Sequence, residues 1–232
     1  MRKRIFLAID KTNKNEAIAT IDTLQQQLAG IKLGLEFFYS NGHQGGADIR
    51  RRFSHLPLFL DVKLHDIPNT VHQATRALLP LSPSFLTIHA SGGAAMIAAS
   101  KQAVQGTNTK ILAVTLLTSL GKDDVQRVMG EDDIAGRTLA LALLAKEAGA
   151  DGVVCSPLEI ATLRAKLGKD FIIITPGIRA TVGGINPHDQ KRVATPKDAI
   201  MAGADYLVMG RGILEQEQPE SFLRILNESL NI

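Results

Sequence analysis

Leu58-Phe59-Leu60-Asp61-Val62-Lys63-Leu64-His65-Asp66-Ile67-Pro68-Asn69-Thr70 begins as an apolar, strand-like run, takes in three charges of alternating sign, and meets a proline. Pro68 suits the first turn of a helix, where a fixed φ and a missing N–H are tolerated, so the stretch reads as strand, short loop and helix start. Charge inside such a strand needs a reason. An isolated buried ion costs several kcal/mol even after relaxation, so these groups must pair with each other or with a substrate.

The same alternation runs outward in both directions. Apolar runs at 5–9, 31–35, 58–62, 85–89, 111–117, 152–155, 171–175 and 206–209 predict eight strands. Segments 14–29, 68–79, 93–105, 134–148, 157–167, 195–202 and 219–230 predict helices. Pro68, Pro157 and Pro219 stand at first helical turns, and Gly30, Gly106, Gly149 and Gly168 suit C-terminal caps. Shared over 232 residues, each unit takes about 29, enough for a strand, a helix and two short loops. No linker or low-complexity stretch interrupts the series. The spacing predicts an α/β fold, a closed (β/α)8 barrel of the TIM type forming a single domain over 1–232. An open doubly wound sheet would carry a glycine-rich turn after its first strand, where Asp10-Lys11-Thr12 stands instead.

In such a barrel the C-terminal strand ends converge on one face, so polar residues there are candidates for chemistry. They are Asp10, Lys32, Asp61 and Lys63, His89 and Ser91, Thr118 and Ser119, Pro176-Gly177-Ile178-Arg179, and Gly210-Arg211-Gly212. Asp61 and Lys63, two apart on a strand, point to one face with α-carbons roughly 6.5–7 Å apart, so their ends can touch. Asp66 lies at an odd offset from Asp61, beyond the turn. It either caps the following helix or reaches another subunit. Asp10, Lys32, Asp61 and Lys63 together make a pocket of alternating carboxylates and ammoniums, each keeping its neighbours ionised. Gly210-Arg211-Gly212 combines close backbone approach, fresh amides and a guanidinium at the place where barrels bind phosphate. From Arg179 to Gln190 run about a dozen Gly-rich and polar residues, a length that fits a closing lid or a disordered segment.

Composition narrows the classes. With 45% hydrophobic and 21% charged residues the chain is that of a soluble globular protein, and no apolar run approaches the roughly 20 residues of a membrane span. Neither a signal peptide nor membrane association is expected, and the single cysteine, Cys155, fits a reducing, cytoplasmic setting and reads as a small core residue. A net charge of +3, with two Tyr, eight Phe and no Trp, gives nucleic acid little to bind but is compatible with a small anion. Arg50-Arg51-Arg52 reads as a solvated helix end. The six histidines lack HxH or HxxxH spacing, so no metal is expected, and His65 and His89 read as packed or hydrogen-bonded.

Asp61-Val62-Lys63-Leu64-His65-Asp66-Ile67-Pro68-Asn69-Thr70 resembles the D-x-K-x-x-D-I-P-N-T signature of the orotidine 5'-phosphate decarboxylases, in a bacterial form. The resemblance extends in order through Ala8-Ile9-Asp10, Lys32-Leu33-Gly34, His89-Ala90-Ser91-Gly92-Gly93, Leu117-Thr118-Ser119, Pro176-Gly177-Ile178-Arg179, Asp189-Gln190-Lys191-Arg192 and Gly210-Arg211. It implies a homodimer that converts orotidine 5'-monophosphate to uridine 5'-monophosphate in pyrimidine synthesis, with neither cofactor nor metal. Lys63 is then the proton donor, and Lys32 and Asp61 complete its charged network. Asp66 enters the partner's site with Ile67 and Thr70. Asp10 and Lys32 hold ribose hydroxyls, Ser119 with Thr118 beside it meets the pyrimidine, and Gln190, Arg211 and the Gly210 amide take the phosphate. Arg179 stands at the base of the closing loop.

Two other readings compete. A magnesium-dependent 3-keto-L-gulonate 6-phosphate decarboxylase shares D-x-K-x-x-D, but has Glu where this chain has Lys32, and an ammonium is a poor neighbour for a metal. A catalytically dead nucleotide-binding barrel would not need every charged position kept.

Overall fold

All five residues of β1 (Ile5–Ile9) are buried, as in a strand packed on both faces. Seven more strands follow: β2 (Gly30–Leu33), β3 (Leu58–Leu64), β4 (Phe85–His89), β5 (Lys110–Val114), β6 (Gly152–Val154), β7 (Ile172–Thr175) and β8 (Tyr206–Met209). Each pairs with the next, and β8 returns in parallel to β1, setting Leu207 opposite Ile5, so the barrel is closed as expected. This computed structural model describes residues 3–130, 132–178 and 194–230.

Period-two alternation divides the apolar residues between two cores. Ile5, Leu7, Ile9, Ile31, Leu33, Leu58 and Leu60 belong to the larger core, shared with helix residues such as Ile21, Phe37 and Val71. Phe6, Ala8, Phe59, Phe85, Leu112, Ile174 and Val208 form the smaller cluster inside the barrel. Its lower layer is aromatic. Phe6 meets Phe59, Phe85 and Tyr206 edge-on at centroid distances of 5.9, 5.6 and 5.3 Å, the arrangement that ring quadrupoles favour. This plug closes the N-terminal end and leaves the same inward faces, two to four residues further along, to bear Asp10, Lys32, Asp61 and Thr87.

Several expected boundaries differ. The first helix ends at Leu24 and passes through a short turn at Gln25–Gln27, so Gly30 starts β2 rather than capping the helix. A side chain there would collide with the Phe6 ring and the Pro57 carbonyl. β5 stops at Val114, whose pairing with Val154 is completed by the Thr115 N–H donating to the Val154 carbonyl at 3.1 Å; the Thr115 hydroxyl donates to the same carbonyl, also at 3.1 Å. Helices Leu35–Arg52 and Lys122–Met129 and the short Arg211–Leu214 add to the expected seven. The first is broken at Gly42, whose φ of 62° suits glycine. Its last turn carries Arg50, Arg51 and Arg52. Among the described residues, no helix is long and apolar enough to cross a membrane.

Candidate active site

β3 does not run through its charged residues as a regular strand. Between the pairs Leu60–Leu86 and Leu64–Ile88 it advances four residues while β4 advances two. The bulge takes up Asp61, Val62 and Lys63, and Lys63 has a φ of 49°, in the left-handed region that side chains other than glycine rarely enter. The expected contact forms, but by this route and not by simple alternation: Lys63 Nζ donates to Asp61 Oδ1 at 2.8 Å.

β2 supplies the second ammonium. Lys32 Nζ lies 3.4 Å from Asp61 Oδ2 and 3.6 Å from Asp10 Oδ1. The four groups thus form a chain, Asp10–Lys32–Asp61–Lys63, with two charges of each sign. Its middle is dry and its ends are wet, the side chains of Lys32 and Asp61 being 9% and 13% exposed against 53% for Asp10 and 26% for Lys63. Burial pushes the Asp61 carboxyl up. Lys32 and Lys63, with hydrogen bonds from Lys63 and Thr87, outweigh that and hold it below the ordinary carboxylate value. Asp61 is therefore an anion that keeps two cations in place.

Glycines give this chain room. A Cβ on Gly34 would come within 2.8 Å of Lys32 Nζ and 3.3 Å of Asp10 Oδ1. One on Gly210 would lie 3.2 Å from the Ala8 Cβ and 3.7 Å from Asp10 Oδ2, so the loop after β8 passes directly beside Asp10. His89, at the end of β4, lies with its ring centroid 5.1 Å from that of His65. Burial lowers its pKa, the neighbouring His65 and Lys63 lower it further, and Asp61 opposes the shift. Among the described residues, no three His, Cys, Asp or Glu side chains gather as metal ligands would.

The remaining expected site residues lie around this cluster. Gly210 precedes the helix Arg211–Leu214, and Arg211 is exposed. Thr118 is half-buried and Ser119 exposed, both in the turn between β5 and the helix Lys122–Met129. Asp66, Ile67 and Thr70 form part of an exposed run, with Ile67 at 67%. Asp66 does not cap the helix Pro68–Leu78; its Oδ1 accepts from the adjacent Ile67 N–H at 2.7 Å. Arg179 and Gln190 lie outside the described residues. Sequence reading missed Thr87, whose hydroxyl touches both Asp61 and Lys63. Its signal was a lone hydroxyl in the apolar run Phe85-Leu86-Thr87-Ile88, two residues before His89.

Comparison with known proteins covers nearly the whole chain. A protein named orotidine 5'-phosphate decarboxylase from Rhodospirillum rubrum is 46% identical over 233 residues, spanning 96% of this chain and 92% of its own length. One of the same name from Wolbachia pipientis subsp. Culex pipiens is 43% identical over 226 residues, covering 97% of this chain and 98% of its own. The crystal structure of orotidine 5'-phosphate decarboxylase from Lactobacillus acidophilus aligns over 100% of both chains, with a TM-score of 0.84 and 34% identity. The model for the Orotidine 5'-phosphate decarboxylase / HUMPS family matches residues 3–224, and the chain belongs to that family.

Proposed function

We propose that the chain is a carboxy-lyase converting orotidine 5'-monophosphate to uridine 5'-monophosphate in pyrimidine biosynthesis, without metal or cofactor, through a C6 carbanion stabilised and protonated by Lys63. The observation that carries this reading is the Asp10–Lys32–Asp61–Lys63 chain, which opens to solvent at Lys63.

The bond between C6 and the carboxylate breaks, CO2 leaves, and the electron pair stays on C6 in an orbital that no adjacent carbonyl can absorb as a simple enolate. Stabilisation must then come from charge already in position. Lys63 supplies that cation, and its proton passes to C6 to give the product. The neutral amine left behind recovers its proton from solvent, to which Lys63 is partly open. Asp61 keeps Lys63 charged and aimed. Asp10 and Lys32 hold ribose hydroxyls, Thr118 and Ser119 face the base, and the Gly210 amide receives the phosphate together with Arg211 and Gln190. Because the phosphate is remote from C6, its binding energy serves to assemble the site around the reacting carbon.

Asp66, Ile67 and Thr70 act in the site of a second copy, forming a homodimer. Their exposure directly after the catalytic strand leaves all three side chains accessible to a second copy. The magnesium-dependent lyase reading is disfavoured by Lys32, whose ammonium lies between two carboxylates where a cation would otherwise bind. A spectrophotometric assay of orotidine 5'-monophosphate loss with chelator-treated protein tests the reading. Turnover is expected to be unchanged by chelator. No turnover, or rescue by magnesium, would overturn it.

A further inference from the structure

We propose that Thr87 is a positioning residue for the decarboxylation inferred above, its hydroxyl tying the bulged backbone of Lys63 to the carboxylate of Asp61. The side chain is wholly buried, so its bonds are made within the protein. Thr87 Oγ1 accepts from the Lys63 N–H at 2.9 Å. Its single proton has two possible acceptors, Asp61 Oδ1 at 3.1 Å and the Leu60 carbonyl at 3.5 Å. The nearer and charged oxygen is the stronger acceptor, so the proton goes to Asp61.

Other hydroxyls of the barrel behave differently. Thr115 donates to the Val154 carbonyl and Thr175 to the Cys155 carbonyl, bonds that involve only main chain. Thr87 alone among these three reaches a carboxylate side chain and a main-chain N–H together. Both partners need it. Lys63 is held at a φ of 49°, in a bulge where its N–H lacks a regular ladder partner. Asp61 Oδ1 must receive Lys63 Nζ while Oδ2 faces Lys32. One hydroxyl fixes the backbone that aims the Lys63 side chain and the rotation of the carboxylate that it meets.

The test compares Thr87→Val, which keeps the shape and removes the hydroxyl, with Thr87→Ser, which keeps the hydroxyl. Thr87→Val is expected to lower kcat by about 10- to 100-fold with KM nearly unchanged, because the lost bonds act on the reacting groups and not on substrate grip. Thr87→Ser should recover kcat to within about threefold of wild type, as the same bonds form. The acid limb of the kcat profile should move to higher pH in Thr87→Val. The groups facing Asp61 are Lys32 from β2, Lys63 on its own strand and His89 from β4, with Asp10 of β1 beyond Lys32, and all remain. Wild-type kcat with an unmoved acid limb in Thr87→Val, or Thr87→Ser as impaired as Thr87→Val, would overturn the proposal. Amide exchange in the unaltered protein gives a reading that needs no variant and no turnover. The Lys63 amide should exchange far more slowly than the exposed Asp66 amide, and equal rates would overturn the bond. A wild-type protein inactive on orotidine 5'-monophosphate would instead overturn the functional reading, leaving the exchange rates to decide the bond.

Discussion

At the scale of the residue, Asp61 is the pivot. Burial opposes its charge, and two ammoniums with two hydrogen bonds restore it. The net lowering of its pKa means that ionised Asp61 stabilises the fold fully above the pKa of an unfolded aspartate, and that this contribution fades as pH falls through the lower, folded value. Asp61→Asn should therefore be less stable than wild type at neutral pH, and the gap in Tm should narrow on acidification into the carboxylate range; thermal melts from neutral pH downward check this. A gap that widens in acid would mean that burial, not pairing, dominates. Asp61, Lys63 and Lys32 were legible in the sequence because a charge in an apolar strand is conspicuous. Thr87 was not, because threonine is an ordinary strand residue whose bonding partners are unknown until β3 and β4 are aligned.

The elements show which parts of the fold local pattern could reveal. Strands stood out because parallel barrel strands are buried on both faces and read as continuous apolar runs. The helix Leu35–Arg52 was missed because Gly42, Gly45 and Gly46 interrupt its pattern, and Lys122–Met129 because only Val125 among its residues is buried. The bulge in β3 has no sequence signal of its own. Period two alone also lets Asp61 and Lys63 meet, so the right contact was expected for an incomplete reason. Glycines at the strand ends separate packing from site geometry. Gly34→Ala would press on the end of the Lys32 side chain and not on backbone, so stability should stay within about 1 kcal/mol of wild type while the displaced ammonium raises KM about tenfold. Gly30→Ala would press on the Phe6 ring and the Pro57 backbone and should cost about 1–3 kcal/mol. Denaturation midpoints and steady-state kinetics on the pair distinguish the two. A Gly34→Ala variant with wild-type KM would mean that Lys32 does not depend on that space.

For the whole molecule, the barrel sets a dry aromatic plug beneath a charged upper layer, with the same strands serving both. Eightfold alternation made that architecture legible, whereas the segment containing Arg179 and Gln190 was assigned by resemblance. The proposed dimer makes each site depend on two chains. Mixing inactive Lys63→Ala and Asp66→Ala chains should restore one working site per heterodimer, up to about a quarter of wild-type activity when the chains exchange at random. No recovery after verified subunit exchange would place Asp66 in its own chain's site. The central claim is that Lys63 both stabilises and protonates the carbanion. The most direct measurement is turnover of orotidine 5'-monophosphate by Lys63→Ala, with uridine 5'-monophosphate binding measured on the same preparation. Loss of about ten-thousandfold or more in turnover with product binding retained is the predicted result. Turnover within about tenfold of wild type would contradict it.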